Sequence, residues 1–398
     1  MIPAILPTYQ RSDIAFERGE GAYLFASDGR RFLDFASGIA VTGLGHSHPH
    51  LIEALTEQAN KFWHCSNIFT IPGQERLAER LVAATFADTV FFCNSGSEAV
   101  ECGIKMIRRY HYVTGNPQKN RIICMNGGFH GRTLATIYAG GQAKHTEGFS
   151  PAVEGFDHVA YGNLNELRAA VTPETGGILV EPIQGEGGYR PAPEGYLKGL
   201  RQVADEYGLL LMLDEVQCGN GRTGKLFAYE LEGIEPDIVA TAKGMGGGFP
   251  VGACLAREDA AQGMTAGTHG STYGGNPLAM AVANAVLDVV LEPGFLDRVA
   301  ETGAALGSAL AALVAEHPET FVESRGVGLM MGLKCVDAIP SRDFVAALRD
   351  VGLLTVAAGD NVVRLAPPLI IDQSHIDEAI GMIGAAADAW HGAEAHRA

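Results

Sequence analysis

Two apolar runs in this chain each end in a charged group. Leu209-Leu-Leu-Met-Leu-Asp-Glu-Val-Gln217 ends in Asp214, and Asp237-Ile-Val-Ala-Thr-Ala-Lys243 ends in a lysine followed by the glycine-rich stretch Gly244-Met-Gly-Gly-Gly-Phe-Pro250. A lysine in such a setting is costly to keep protonated, because desolvation disfavours the ammonium form. The neutral amine is a nucleophile toward aldehydes. A carbonyl-capturing lysine and an acid that can hold a protonated pyridine nitrogen are the two groups that pyridoxal phosphate (PLP) demands of its protein.

Other segments supply what such a cofactor and its substrates need. Asn94-Ser-Gly-Ser-Glu-Ala follows the run Thr89–Cys93 and opens a helical pattern. Free backbone amides and the helix dipole suit such a turn to a phosphate. The alternative is a plain N-cap at Ser97, but the matching capping-box position, 100, holds Val. In Asn126-Gly-Gly-Phe-His-Gly-Arg-Thr133 the glycines let backbone approach a ligand and Phe129 offers a flat face, whereas taken alone Phe129 reads as core and Arg132 as a surface cation. Glu181-Pro-Ile-Gln-Gly-Glu-Gly-Gly188 places Glu186 among glycines, as an ordinary acidic loop also would. Arg364 interrupts the apolar run Asn361-Val-Val-Arg-Leu-Ala-Pro-Pro368, so it either snorkels or holds a carboxylate, with Glu186 as its partner when substrate is absent.

Two patterns tempt and are set aside. Gly219-Asn-Gly-Arg-Thr-Gly-Lys225 satisfies G-x-G-x-x-G and nearly a P-loop, but Leu226 stands where magnesium needs Ser or Thr. The glycines also do not sit directly at a strand-to-helix turn. His46-Ser-His-Pro-His50 lacks an accompanying carboxylate or cysteine cluster, reads as turn and capping residues, and is assigned no metal.

The elements that position these groups alternate. Strand-like runs at Thr89–Cys93, 121–125, 177–182, 209–213, 237–241 and 251–256 are separated by helical patterns at 74–86, 97–113, 164–171 and 195–208. That alternation implies a mostly parallel sheet covered on both faces, whose ligands bind where strands end and helices begin. Residues 12–45 carry short strand pieces with a hairpin signal at Asp28-Gly29. A long helix from Asn276 to Val290, further helix, and short strands near 328–335, 353–356 and 362–365 read as an α+β unit. The expected organisation is 1–48 as the N-terminal part of a small domain, 49–275 as a large PLP-binding domain, and 276–398 as a connecting helix with the rest of the small domain. The final residues, 391–398, are expected to fray.

Composition narrows the partners. The chain has 398 residues, 47% hydrophobic, 19% charged, with a net charge of −17. That is globular composition, and its acidity argues against nucleic acid and anionic membranes. Seven cysteines with no C-x-x-C pair suggest neither a disulfide framework nor zinc. No signal peptide is visible, and the densest apolar stretch, near Leu209, is far short of the ~20 residues of a membrane helix, so a cytoplasmic setting is expected.

Together these blocks resemble the class III aminotransferases of PLP fold type I, from Gly38-Ile-Ala-Val-Thr-Gly-Leu-Gly-His-Ser-His-Pro49 to Arg364-Leu-Ala-Pro-Pro368. Within the class, Phe129-His-Gly-Arg-Thr, Asp214-Glu-Val-Gln-Cys-Gly-Asn-Gly-Arg-Thr-Gly, Ala242-Lys-Gly-Met-Gly-Gly-Gly-Phe-Pro and Gly267-Thr-His-Gly-Ser-Thr-Tyr-Gly-Gly-Asn-Pro277 are most similar to the acetylornithine aminotransferases. The chain departs from the common pattern at Val100, where Asn is frequent. The resemblance implies an α/β fold of type I, with a large domain of mostly parallel sheet and a small α+β domain from both chain ends. It implies that Lys243 bonds to the cofactor aldehyde, that Asp214 holds the ring nitrogen and Gln217 the ring hydroxyl, and that Phe129 stacks on the ring. Glu215 and Val216 are further expected cofactor contacts. Gly96 and Ser97 are implied to hold the phosphate, joined by Thr272 from the other subunit of a homodimer. Arg132 and Ser271 are implied to contact the amino donor, and Arg364, screened by Glu186, the carboxylate of 2-oxoglutarate or glutamate. The implied reaction moves the amino group of N2-acetylornithine to 2-oxoglutarate. Ornithine, succinylornithine, N-succinyldiaminopimelate or 4-aminobutyrate are alternative donors, and a nucleotide-binding protein built on residues 219–225 is the reading from another class.

Overall fold

A seven-stranded sheet, in the order Thr89–Cys93, Gly252–Ala256, Ile238–Thr241, Leu210–Asp214, Thr175–Val180, Arg121–Met125, Phe156–Val159, forms the centre of the computed structural model, which describes residues 2–395. Gly252–Ala256 runs antiparallel to both neighbours, and the other pairings are parallel. The strands Leu210–Asp214, Ile238–Thr241 and Gly252–Ala256 are buried at every position, as continuous apolar runs require when helices cover both faces. Alternation along them separates two cores. Leu211, Leu213 and Val239 join one apolar cluster, and Leu210, Met212, Ile238 and Ala240 join another with the helix Gly96–Val113.

Because six strands point the same way, their C-terminal ends lie along one edge. Asn94, Asn126, Ala160, Glu181, Glu215 and Ala242 are the residues that leave that edge. The expected motifs therefore converge on one rim, the usual ligand position in an open α/β sheet.

Both ends of the chain build further sheets. Phe16–Glu20, Tyr23–Ala26 and Arg31–Asp34 form an antiparallel meander, turned at Asp28-Gly29. Leu353–Leu354 adds to it in parallel, with Leu353 opposite Leu33. A second sheet has the order Phe321–Val327, Met330–Cys335, Val362–Leu365, Val356–Ala358, all antiparallel. The long helix begins one residue later than its capping residue, Asn276, whose side chain accepts from the Ala279 amide, and it ends at Val290.

Two sequence expectations change here. The helix Gln373–Ala395 carries regular backbone through 391–395, where fraying was expected, and residues 396–398 lie outside the described residues. One helix among the described residues, Phe295–Glu316, is long and apolar enough to cross a membrane by length and composition. Its residues Val299, Leu306, Leu310 and Leu313 are buried in the core that includes Phe321 of the following strand.

Candidate active site

The rim holds a cavity of 330 Å³, within the ordinary range of ligand pockets. Asp214 and Lys243 both line it, with Phe129, Val216, Gln217, Gly96 and Ser97.

Lys243 is the first residue of a 3-10 turn after the strand Ile238–Thr241 and has a left-handed backbone, φ +46°. A non-glycine residue pays strain there, and such outliers persist only when their surroundings hold them. Asn220 does so: its Nδ2 donates to Thr241 Oγ1 at 2.8 Å and to the Ala242 carbonyl at 3.1 Å. Burial first, and the Arg364 charge second, push the Lys243 amine down to about 8. This explains what the Gly219–Lys225 glycine pattern does. Its loop is buried, Asn220 pins the lysine's backbone, and Arg222 donates to the Leu329 and Pro367 carbonyls. The nucleotide reading loses Asn220 and Arg222 to these internal bonds, and of the loop only Lys225 is exposed.

Asp214 ends its strand with both oxygens engaged. Oδ1 accepts from the Val216 amide at 3.0 Å, and Oδ2 lies 2.8 Å from His130 Nδ1. Burial opposes a charge on His130, but the bond to Asp214 and the charges of Asp214 and Glu181 override it and raise the imidazole above its usual value. Glu181 joins two loops of the site: Oε1 accepts from the Phe129 amide at 2.8 Å and Oε2 from the Gly185 amide at 3.0 Å. Burial pushes its carboxyl up to about 7.

The helix Gly96–Val113 aims its N-terminus at the same cavity. Its cap is Ser95, whose Oγ accepts from the Glu98 amide, while Glu98 takes bonds from the Ser95 hydroxyl and the Asn94 amide. The capping signal was therefore real but began two residues before Ser97. Since Ser95 and Glu98 serve each other, the first-turn amides of Gly96 and Ser97 remain outside the helical ladder. A Cβ at Gly96 would lie 2.7 Å from Val216, so only glycine lets the helix start approach this wall.

The remaining expected residues separate. Arg364 is buried on its strand, with Nη1 2.5 Å from Glu186 Oε1 and Nη2 3.3 Å from the Ala357 carbonyl. Arg132 is exposed, its guanidinium 5.4 Å from the Phe129 ring centre. Ser271 Oγ accepts from Asn94 Nδ2 at 3.1 Å but does not line the cavity. Thr272 is exposed and does not line it either. Glu215 is a correction. Its carboxylate turns from the cavity into the core, where it takes the Ala228 amide at 2.5 Å and the Tyr229 amide at 2.8 Å, because adjacent residues at a strand end face opposite sides. His46 and His50 spend ring nitrogens on Asp34 and Asp288, at 2.7 and 2.9 Å.

His130, Glu181 and Asn220 went unnoticed in the sequence. A signal was available for the first two: His130 follows the aromatic Phe129 directly, and Glu181 ends an apolar strand just as Asp214 does.

The residues fit PLP on this structure's own terms. An amine lowered by burial, an acid at the end of a neighbouring strand, helix amides suited to a dianion and the aromatic Phe129 share one cavity. The buried oxygen Gln217 Oε1 and ring nitrogen His130 Nε2 lack protein partners, as expected where a polar ligand completes the set.

Known proteins give an independent comparison. The profile of the family described as class-III aminotransferases matches residues 6–387. The acetylornithine aminotransferase of Brucella melitensis is 61% identical over 96% of this chain and 94% of its own length. The N-acetylornithine aminotransferase of Stenotrophomonas maltophilia K279a superposes with a TM-score of 0.85 at 38% identity, covering 97% of this chain and 98% of that one. The ornithine aminotransferase of Toxoplasma gondii ME49 superposes with a TM-score of 0.94 at 30% identity, covering 98% and 93%.

Proposed function

Because this chain belongs to the class III aminotransferases, we propose that it moves the terminal amino group of N2-acetylornithine to 2-oxoglutarate, giving N-acetylglutamate 5-semialdehyde and glutamate. The observation that carries the reading is the joint placement of Lys243 and Asp214 in one cavity, beside the Arg364–Glu186 ion pair. Bound PLP supplies an aldehyde to capture the amine and an electron sink for the carbanion.

The chain's own residues do the rest. Lys243 would hold the cofactor through its aldehyde, and its amine, when free, would move a proton at the carbon bearing the amino group. Asp214 would hold the ring nitrogen and favour its protonated form, and His130 holds Asp214 in place. Gln217 would meet the ring hydroxyl, Phe129 and Val216 would contact the ring, and the amides of Gly96 and Ser97 would take the phosphate. Arg132 and Ser271 receive the acetylated end of the donor.

One site must take two different substrates. Arg364 holds the α-carboxylate of 2-oxoglutarate or glutamate, and Glu186 screens it while acetylornithine is bound. The working unit is a homodimer in which Thr272, exposed on one subunit, completes the phosphate site of the other.

A steady-state panel of acetylornithine, succinylornithine, ornithine, N-succinyldiaminopimelate and 4-aminobutyrate tests the donor. The highest kcat/KM is expected for acetylornithine. A higher value for any other donor overturns the assignment and leaves the family intact.

A further inference from the structure

We infer that Arg325, locked to Asp360, is a positioning residue that latches the backbone of the Glu186 loop to the hairpin carrying Arg364, so that only the Glu186 side chain moves between substrates. The inference rests on the reading of Glu186 and Arg364 as a substrate switch.

Glu186 lies in the tight connection between the short strands Ile183–Gln184 and Arg190–Pro191. Four glycines in and around this turn (Gly185, Gly187 and Gly188 within it, Gly359 facing it) would leave it little stiffness of its own. Yet it is held at two backbone points, at Glu186 itself and two residues after it. The Gly359 amide donates to the Glu186 carbonyl at 2.9 Å, and Arg325 Nε donates to the Gly188 carbonyl at 2.8 Å.

Arg325 is well placed to act as a fixed peg. It stands on the strand Phe321–Val327 and is only 17% exposed at its side chain. Its Nη1 pairs with Asp360 Oδ2 at 2.7 Å and with Glu323 Oε1 at 2.9 Å. Asp360 is held in turn by Lys334 Nζ at 2.8 Å. Although burial pushes the other way, the bonds from Lys334 and Arg325 hold the Asp360 carboxyl below its ordinary value. A planar guanidinium with Nη1 on two carboxylates and its Nε on a carbonyl has its direction set, which an ammonium would not. The approach is close: a Cβ at Gly188, where φ is +100°, would lie 2.5 Å from the Gly359 carbonyl and 2.7 Å from Arg325 Nη2.

The latch and the switch share one support. Gly359 and Asp360 form the tip of the hairpin Val356–Ala358 and Val362–Leu365, and Arg364 stands on its second strand. The loop that carries Glu186 is thus tied to the element that carries its counter-ion. Glu186 can swing away when a substrate carboxylate takes Arg364 and return to the same place afterwards. Without the peg, the turn drifts and Glu186 screens Arg364 less well.

The test is single-turnover rates of the two half-reactions, with acetylornithine and with glutamate, in the holoenzyme. Arg325→Ala is expected to slow the acetylornithine half about tenfold while sparing the glutamate half. Asp360→Asn, which leaves Arg325 in place but loosens it, is expected to move the same ratio in the same direction by less, and it carries the test if Arg325→Ala does not fold. The decisive measurement is the double variant with Glu186→Ala, in which Arg325→Ala should have no further effect on the ratio. Equal slowing of both halves, or an effect that persists in the Glu186→Ala background, overturns the latch. If Glu186→Ala alone leaves the ratio unchanged, the switch has failed, and the latch with it. If Glu186→Ala shifts the ratio and the Arg325 and Asp360 variants do not, only the latch has failed.

Discussion

His130 and Asp214 face each other at 2.8 Å in the buried floor of the cavity, joined ring nitrogen to carboxylate. The pair leaves Asp214 one orientation, since its other oxygen is held by the Val216 amide. Asp214→Asn should therefore still take up cofactor, in place and in shape, but without the charge that retains a proton on the ring. The expected loss in kcat is about 10²- to 10³-fold, read beside a cofactor titration. Near-normal kcat would make Asp214 a structural residue only.

Lys243→Ala should fold and lose the covalent link to cofactor, with turnover down by about 10⁴-fold or more. Borohydride reduction of the wild-type holoenzyme followed by peptide mapping should mark Lys243. A mark on any other lysine contradicts the assignment.

The rate at which apoenzyme captures PLP should climb as pH rises through about 8, the value set by burial and by Arg364. Only the deprotonated amine attacks an aldehyde, so a lowered value means more nucleophile at neutral pH. An ordinary lysine would give a midpoint near 10.5. Arg364→Ala removes a cation and should move the midpoint up, whereas Glu186→Ala removes an anion and should move it down. A common direction for both variants would refute this electrostatic account.

Glu186→Ala should preserve the glutamate half-reaction and impair the acetylornithine half. Arg364→Ala should raise KM for 2-oxoglutarate far more than for acetylornithine. Loss of a charge-assisted bond costs about 2–3 kcal/mol, or roughly 30- to 150-fold. Rates for each half-reaction decide the matter, and equal slowing of both halves by both variants disproves the switch.

If sites are shared between subunits, sedimentation at assay concentration should give a dimer. Mixing Lys243→Ala with Thr272→Ala chains should then yield heterodimers with one site that combines both defects and one intact site. A fully active monomer, or no recovery of activity on mixing under conditions that exchange subunits, counts against sharing.

The sheet was legible because each strand is a short apolar run bounded by polar or glycine residues, as at Leu210–Asp214. Its helices were legible from their flanks: Gly195 and Gly208 bracket Tyr196–Tyr207, and Asn276 precedes Pro277–Val290. What sequence hid was direction. Nothing in Asp214-Glu215 says which of two adjacent acids turns into the cavity and which into the core; the pleat decides that. The partners of His130 and Glu181 were equally hidden, because they lie 84 and 52 residues away in the chain. The ion pair of Arg364 with Glu186 was legible despite a separation of 178 residues, because a cation inside an apolar strand demands an acid from somewhere.

The pairing of Leu33 with Leu353 sets an order in time. A ribosome delivers the chain from its N-terminus, and every strand of the central sheet has emerged once Ala256 is out. The edge of Arg31–Asp34 must then wait, unpaired, for Leu353–Leu354. Arg364 emerges later still, on the last strand of all. A nascent or truncated chain can therefore own the lysine, the acid and the helix amides before it owns the arginine. On the proposed role of Arg364, discrimination between substrates would be the last capacity this molecule acquires as it is made.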